Sequence, residues 1–238
     1  STDVEKRTLV SVIITAGARS VCLVEEPLCA AFGAGVDPLL PTGVFVIDIG
    51  GGTTNMAIVS QGCMNQVETL RLAGNHFDDE IIRHMHDEYS ILIGKRTAEE
   101  VKNSIACAYP REEDVAMQVK GRNMVTGMPD SAELTGNEIY ECLSPLLKQL
   151  ADAAVALFER TSPQLMADIT SGEVILTGGC SAIYGMDKMF ADALNLDITV
   201  APRAELCVAK GTMVALNKMH VLDQYGYRFR TKQDVRIK

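Results

Sequence analysis

Apolar and polar positions change period along this chain, and each change predicts an element. Thr2-Asp3-Val4-Glu5 is a capping-box pattern. Leu9, Val10, Ile13 and Ile14 follow at helical spacing, and Gly17 stops the helix. Val21-Cys22-Leu23-Val24 reads as a short buried strand ending in Glu25-Glu26, after which Pro27 opens a small-residue helix at the position proline favours. Val44 to Ile49 is a continuous apolar strand with one carboxylate, Asp48, and Asn55 to Ser60 is a second strand. From Gly74 the texture turns helical, with Phe77, Ile81, Ile82, Met85 and Tyr89 on one stripe. Thr97-Ala98-Glu99-Glu100 is another capping box, followed by Val101 and Ile105 on one face. Asp114 to Val125 alternates as a strand, and Gly127-Met128-Pro129 turns the chain. The longest helix starts near Thr135 and carries Ile139, Cys142, Leu146, Leu150, Ala154 and Leu157, with Pro145 kinking it or dividing it in two. A strand from Glu173 to Thr177, a helix from Met186 to Leu194, a strand from Ile198 to Val200 and a helix from Glu205 to Met219 complete an α/β pattern without internal repeats.

The chemistry concentrates where strands end in glycine. After Ile49 come Gly50, Gly51, Gly52, Thr53 and Thr54. Three consecutive glycines turn tightly and let backbone N–H groups converge on an anion without Cβ obstruction. Asp48 stands where a carboxylate would hold a hydrated Mg²⁺ beside that anion. A dinucleotide fingerprint would enter a helix after its glycines, and a Walker loop needs Gly-Lys-Ser/Thr; neither is present. A second turn, Gly178-Gly179-Cys180-Ser181, follows the apolar strand ending at Thr177. Structural punctuation is the competing reading of either turn alone. Two such turns separated by a helical region fit a nucleotide site gripped from two sides, as in the actin-like, ribonuclease-H-like ATPases.

Composition narrows the alternatives. At 238 residues, 47% hydrophobic and 22% charged, the chain is a large globular domain or a domain with an insertion. A formal net charge of −9 argues against a broad nucleic-acid or anionic-membrane surface. The tail differs: Arg228, Arg230, Lys232, Arg236 and Lys238 face Asp234 alone, which reads as a solvated terminus or a charged contact to a partner. Seven cysteines without C-x-x-C spacing read as buried thiols of a reducing cytoplasm, not a disulfide framework or zinc site. His84 and His86 read as part of a polar helix face rather than metal ligands. No signal-peptide pattern is visible, and no apolar run approaches the roughly 18 residues that span a bilayer.

Several blocks carry a closer resemblance. Val24 to Gly35, Asp48 to Thr54, Leu92 to Lys102, Ala108-Tyr109-Pro110, Gly121 to Pro129 and the Leu176 turn resemble, in order, segments of the MreB family of rod-shape-determining bacterial actins. Asp-Ile-Gly-Gly-Gly-Thr is shared across the actin-like superfamily; the block from Gly94 to Pro110 singles out MreB. The resemblance implies an actin-like fold, mainly the second domain with an inserted smaller subdomain. It implies residues 1–40 as the end of the first domain with an interdomain helix, and 41–73 with 136–212 as the second-domain core. Residues 74–135 would be the insertion and 213–238 a helix end with the basic tail. It further implies that Gly50, Gly51, Gly52 and Thr53 cradle the β- and γ-phosphates of ATP, and that Asp48 holds Mg²⁺ through water. Glu26 and Thr53 would orient the attacking water. Glu99, Glu100, Val101 and Lys102 would line the nucleotide, Glu99 and Lys102 at ribose and adenine, although an exposed i,i+3 ion pair is the alternative for those two. Gly178, Gly179, Cys180 and Ser181 would form the adenosine-side loop.

Departures from the family pattern are Cys180 in place of a third glycine, Asn55 where an acidic residue is common, and Asn75-His76 in place of a charged pair. No second Asp-x-Gly-Thr hairpin exists in the chain, which is therefore expected to be a fragment, or an unusually short protein, largely lacking the first domain. The resemblance implies a cytoplasmic protein polymerising with itself under the cell membrane and guiding the cell-wall elongation machinery. Membrane contact is expected only through the first domain. A metabolite kinase of the same superfamily and a nucleotide-free interaction module are the alternatives. With one phosphate clamp absent, the chain alone is expected to bind ATP weakly and hydrolyse it negligibly; micromolar binding with turnover by the isolated chain contradicts this.

Overall fold

The computed structural model describes residues 3–172 and 174–235. Thr2 of the first capping box, Glu173 of the predicted strand, and Arg236 and Lys238 of the tail lie outside the described residues. In chain order the elements are α1 (Asp3–Thr15), α2 (Glu26–Ala34), β1 (Val44–Ile49), β2 (Thr54–Ser60) and β3 (Cys63–Leu70). Next come α3 (Gly74–Tyr89), β4 (Ile91–Leu92), α4 (Lys95–Ile105), β5 (Ala116–Asn123) and β6 (Pro129–Thr135). α5 (Gly136–Glu159), α6 (Pro163–Ser171), β7 (Val174–Thr177), α7 (Met186–Leu194), β8 (Ile198–Val200), α8 (Cys207–Asn217), α9 (Met219–Leu222) and α10 (Lys232–Val235) follow.

Every residue of β1 is buried, as a strand covered on both faces requires. It is the middle of a five-stranded sheet, β3-β2-β1-β7-β8. The β1–β2 and β2–β3 pairs are antiparallel, and β1–β7 and β7–β8 are parallel. Side chains alternate across the sheet. Phe45, Ile47 and Ile49 enter the main core with Phe77, Ile81, Ile139, Leu150 and Phe190. Val44 and Val46 pack on the opposite side with Ala30, Ala31 and Cys207. Asp48 shares the parity of Val44 and Val46, so it belongs to the face that α2 and α8 cover. A smaller antiparallel sheet, β4-β5-β6, is built wholly within residues 91–135.

Helix boundaries follow local chemistry. Thr135 caps α5: its Oγ1 accepts from Glu138 N at 3.2 Å, and Glu138 Oε2 accepts from Thr135 N at 3.4 Å. The helix runs unbroken through Pro145, so the division in two does not occur. Burial of Ile139, Leu143, Leu147 and Leu150 along one face outweighs the donor that proline removes. That face carries Leu143 and Leu147, whereas Cys142 and Leu146 are half-buried beside it.

Other expectations are corrected. Gly94, not Thr97, occupies the N-cap of α4. Val21–Val24 is not a strand; Val21 makes a single bridge to Arg230. That bridge and Tyr227, whose hydroxyl donates to Gly62 O at 3.5 Å, dock the backbone of the C-terminal segment, while Arg228, Arg230 and Lys232 stay exposed as expected of a solvated tail. Leu9 is 51% exposed, so α1 buries only Val10 and Ile14. Pro129 opens β6 instead of ending the turn. Cys63 is exposed, unlike the other cysteines. His84 and Glu138 pair at 2.7 Å, and Tyr89 donates to the same carboxylate at 2.8 Å, which ties α3 to the start of α5.

The closest helix contact joins α2 to α8. A Cβ on Gly211 would lie 1.7 Å from Cys29 O, and one on Gly33 would lie 1.8 Å from Cys207 O. The two backbones touch, and only glycine permits it. Gly211→Ala is expected to lower the unfolding free energy by about 3 kcal/mol or more, as severe overpacking does, measured by chemical denaturation.

Candidate functional site

The site forms where β1 and β7 end side by side. They are parallel neighbours with Asp48 opposite Thr177, so the glycine turns that follow them emerge at the same edge. Ligand crevices in such sheets lie outside the carboxyl ends of parallel strands. In the first turn, Gly50 N donates to Thr53 O at 3.0 Å, closing the link between β1 and β2. The start of α3 sits against it: Gly74 N donates to Gly50 O at 3.1 Å and Asn75 N to Gly51 O at 2.7 Å. Thr54 Oγ1 donates to Leu72 O at 2.7 Å from beneath. Thr53 is half-buried at the turn's end.

The second turn packs onto the first. Gly178 has φ +87°, and a Cβ there would stand 2.3 Å from Ile49 O, so both conformation and contact demand glycine. Cys180 Sγ lies 3.3 Å from Gly50 O, and Ser181 Oγ donates to Gly178 O at 2.6 Å. Cys180 and Ser181 are buried, whereas Gly179 faces solvent. A Cβ at Gly74 would come within 2.7 Å of Cys180 Sγ, so the first turn, the start of α3 and the second turn form one packed unit.

Two carboxylates meet beside this unit. Asp48 is 3% exposed and accepts from Thr177 Oγ1 at 2.7 Å. Burial raises its carboxyl above the usual range, against the hydrogen bonds from Thr177 and Glu26, which lower it. Glu26, at the first turn of α2, is raised by desolvation first and then by the Asp48 charge and hydrogen bond. Asn55 Nδ2 donates to Glu26 Oε2 at 2.9 Å, and Thr69 Oγ1 donates to Asn55 Oδ1 at 2.9 Å. Thr69 thereby fixes which end of the amide faces Glu26.

On the α4 side, Glu99 and Glu100 are exposed and Val101 is fully buried in the main core. Glu100 takes Arg96 at 3.3 Å. Lys102 is 7% exposed, with Nζ 2.8 Å from Asp78 Oδ1 and 3.2 Å from Gly74 O. The exposed Glu99–Lys102 pair does not form, because Lys102 turns inward to the start of α3. Sequence reasoning missed Thr177, Asp78, Asn55 as a partner of Glu26, and Thr69. Only Thr177 had a local signal, since it precedes the second glycine turn as a polar residue at the end of an apolar strand.

The charge pattern predicts a stability effect. Folding raises the Asp48 carboxyl, so the folded state favours the protonated form. Its contribution is fully present below the unfolded pKa and is lost as pH rises through the folded value. Asp48→Asn keeps the acceptor for Thr177 and removes the buried charge. It is expected to raise the unfolding free energy of the ligand-free chain by about 1 kcal/mol at neutral pH. The gain should vanish below about pH 4, the ordinary carboxylate range; denaturation across pH checks both.

Comparison with known proteins places this geometry. The MreB/Mbl protein family model matches residues 1–224. The cell shape-determining protein Mbl of Bacillus subtilis (strain 168) is 38% identical over 221 residues, covering 93% of this chain and 66% of that protein. The cell shape-determining protein MreB of Escherichia coli (strain K12) is 37% identical, covering 95% of this chain and 64% of that protein. This chain thus spans just under two thirds of their length. The crystal structure of MreB 5 of Spiroplasma citri bound to AMPPNP superposes with a TM-score of 0.89 at 36% identity, over 95% of this chain and 68% of that one. The same protein bound to ADP gives a TM-score of 0.90. The fold that carries the packed pair of glycine turns is therefore the actin-like one, and the chain belongs to the MreB/Mbl family.

Proposed function

We propose that this chain is the nucleotide-gripping part of a bacterial actin-like cytoskeletal protein, with the two glycine turns closing on ATP. One observation carries the reading. Gly51, Gly52 and Gly179 are outside the left-handed region, and a Cβ on Gly52 or Gly179 would meet nothing within 4 Å. On Gly51 it would meet only Asn75 Oδ1, at an ordinary 3.6 Å. Neither conformation nor packing within the chain calls for glycine there, but close approach of phosphate oxygens to the backbone does. Two crystal structures of one relative, MreB5 of Spiroplasma citri bound to AMPPNP and to ADP, support the same ligand class.

In this reading Gly50 to Thr53 hold the β- and γ-phosphates and Gly178 to Ser181 the adenosine side. Glu99, Glu100 and Lys102 border the ribose and base through α4, while Val101, buried in the main core, supports the helix without touching the nucleotide. Lys102 reaches the nucleotide only by exchanging its Asp78 contact. The buried Asp48 beside Glu26 and a phosphate turn is a hard-oxygen, negatively charged setting that suits Mg²⁺, and Asp48 would hold it through water. Bound there, Mg²⁺ would offset phosphate charge. Glu26, with one oxygen held by Asn55, and Thr53 orient the attacking water, so hydrolysis rests on positioning and electrostatics. The core comprises residues 41–73 and 136–212, with 74–135 inserted.

Slow ATP hydrolysis, head-to-tail self-assembly, a place beneath the cell membrane and contact with cell-wall elongation proteins are proposed for the whole protein. Heterologous contacts that do not close give filaments. Among the described residues no helix is long and apolar enough to cross a membrane. Electron microscopy with ATP tests assembly; absence of filaments in the full-length protein counts against it.

Calorimetric titration of ATP with and without Mg²⁺ tests the core claim, and Mg²⁺-independent or absent binding sinks it. Gly52→Ala and Gly179→Ala are expected to change ligand-free stability by less than about 1 kcal/mol while weakening Mg·ATP binding at least about tenfold, a loss of about 1.4 kcal/mol. Unchanged affinity would remove the main support for the proposal.

A further inference from the structure

A second cleft, of about 330 Å³, opens between the segment after α4 and the start of α7. Its walls are Tyr109, Arg111, Tyr184 and Lys188, with Glu112 and Glu113 also lining it. The frame is rigid. Ala108 N donates to Tyr184 O at 2.7 Å, and Cys107 forms a bridge with Tyr184. Arg111 N donates to Asn137 Oδ1 at 2.9 Å, while Asn137 Nδ2 donates back to Arg111 O at 3.2 Å. Tyr109 packs so closely on Gly185 that a Cβ there would lie 2.4 Å from Tyr109 Cβ.

Two cations converge inside this frame without a counter-ion. Arg111 Cζ sits 3.9 Å from the Tyr184 ring centroid, and Lys188 Nζ sits 5.5 Å from Tyr184 and 5.8 Å from Tyr109. Among the described residues neither cation has a carboxylate within ion-pair distance, whereas Arg83, Lys95, Arg96, Lys148, Arg160 and Lys218 each have one. Arg111 Nε is buried and without a hydrogen-bond partner. Burial raises the Cys107 thiol, against the charge and hydrogen bond of the neighbouring Arg111, so the guanidinium's contact there is to a weak sulfur acceptor and not to a carboxylate. Buried donors left unpaired are rare and costly, so this one calls for an acceptor.

We propose that this cleft is a carboxylate-recognition site, taking a single carboxylate on a short aliphatic stem such as a glutamate side chain presented by a protein. A guanidinium fork binds carboxylate bidentately, Lys188 adds a second charge-assisted contact, and the tyrosine faces border the stem. Glu112 and Glu113 raise the cost of admitting a polyanion, which favours one carboxylate over phosphate groups. The site is independent of the nucleotide reading, since it shares no side chain with the glycine turns.

NMR titration of the whole chain, observing Arg111 Nε–H and the backbone amides of 108–111 and 184–188, tests the proposal. The probes are N-acetyl-glutamate methylamide, its glutamine counterpart, acetate and inorganic phosphate. Saturable shifts with the glutamate probe, absent with the glutamine probe and weaker with phosphate, are expected. Acetate binding as tightly as the glutamate probe assigns the same carboxylate chemistry to free acids, and weaker acetate binding assigns it to protein side chains. Arg111→Gln should weaken binding at least about tenfold, as should Lys188→Met, whose exposed position leaves folding intact. No saturable shift, equal response to the glutamine probe, or tighter binding of phosphate overturns the proposal.

Discussion

The parallel pairing of β1 with β7 is the constraint on which the rest of the molecule depends. These strands are distant in sequence, and nothing local to either turn places it against the other. Setting Asp48 opposite Thr177 aligns both strand ends, and the turns then have no option but to meet. A slip of one residue would turn Asp48 toward Phe45's side of the sheet and bury a carboxylate among Phe77, Ile81 and Phe190. The apolar alternation of β1 therefore protects the chemistry as well as the core.

Around that pairing, polar groups are held in an order that costs stability. Asp48 and Glu26 both gain protons more readily in the fold than in the open chain: burial raises each of them, and the Asp48 charge raises Glu26 further. Thr177, Asn55 and Thr69 supply hydrogen bonds that fix their orientation without neutralising them. An environment that orients carboxylates yet leaves their charge uncompensated is characteristic of functional sites rather than structural ion pairs. Lys102 and Asp78 illustrate the contrast: they neutralise each other at the base of α3 and anchor the helix start to the first turn.

Much of this was legible in the sequence where the signal is local. β1, β2, both glycine turns, Pro27 at the opening of α2 and the capping box at Thr135 each combine residue types whose backbone preference is strong. β3 was not legible, because Asn65, Gln66, Glu68 and Thr69 leave it no apolar face, and pairing with β2 supplies its order. α6 likewise escaped notice. The inward turn of Lys102 and the relay from Thr69 through Asn55 to Glu26 arise from contacts between distant segments, which a spacing rule along one helix cannot contain. The tail was half legible: its charges do face solvent, but the docking of Tyr227 and of the Arg230 backbone against the body depends on distant segments.

The bare crossing of Gly33 and Gly211 has a mechanical consequence. Helices separated by side chains can slide as rotamers readjust, but here main chain rests on main chain with no compressible layer between. α2 and α8 must therefore travel as one piece. Glu26 begins the first of these helices, and α9 follows the second. Any displacement of that carboxylate is thus geared to the far end of the polypeptide, and a partner pressing on the carboxy-terminal segment would be felt at the acidic pair.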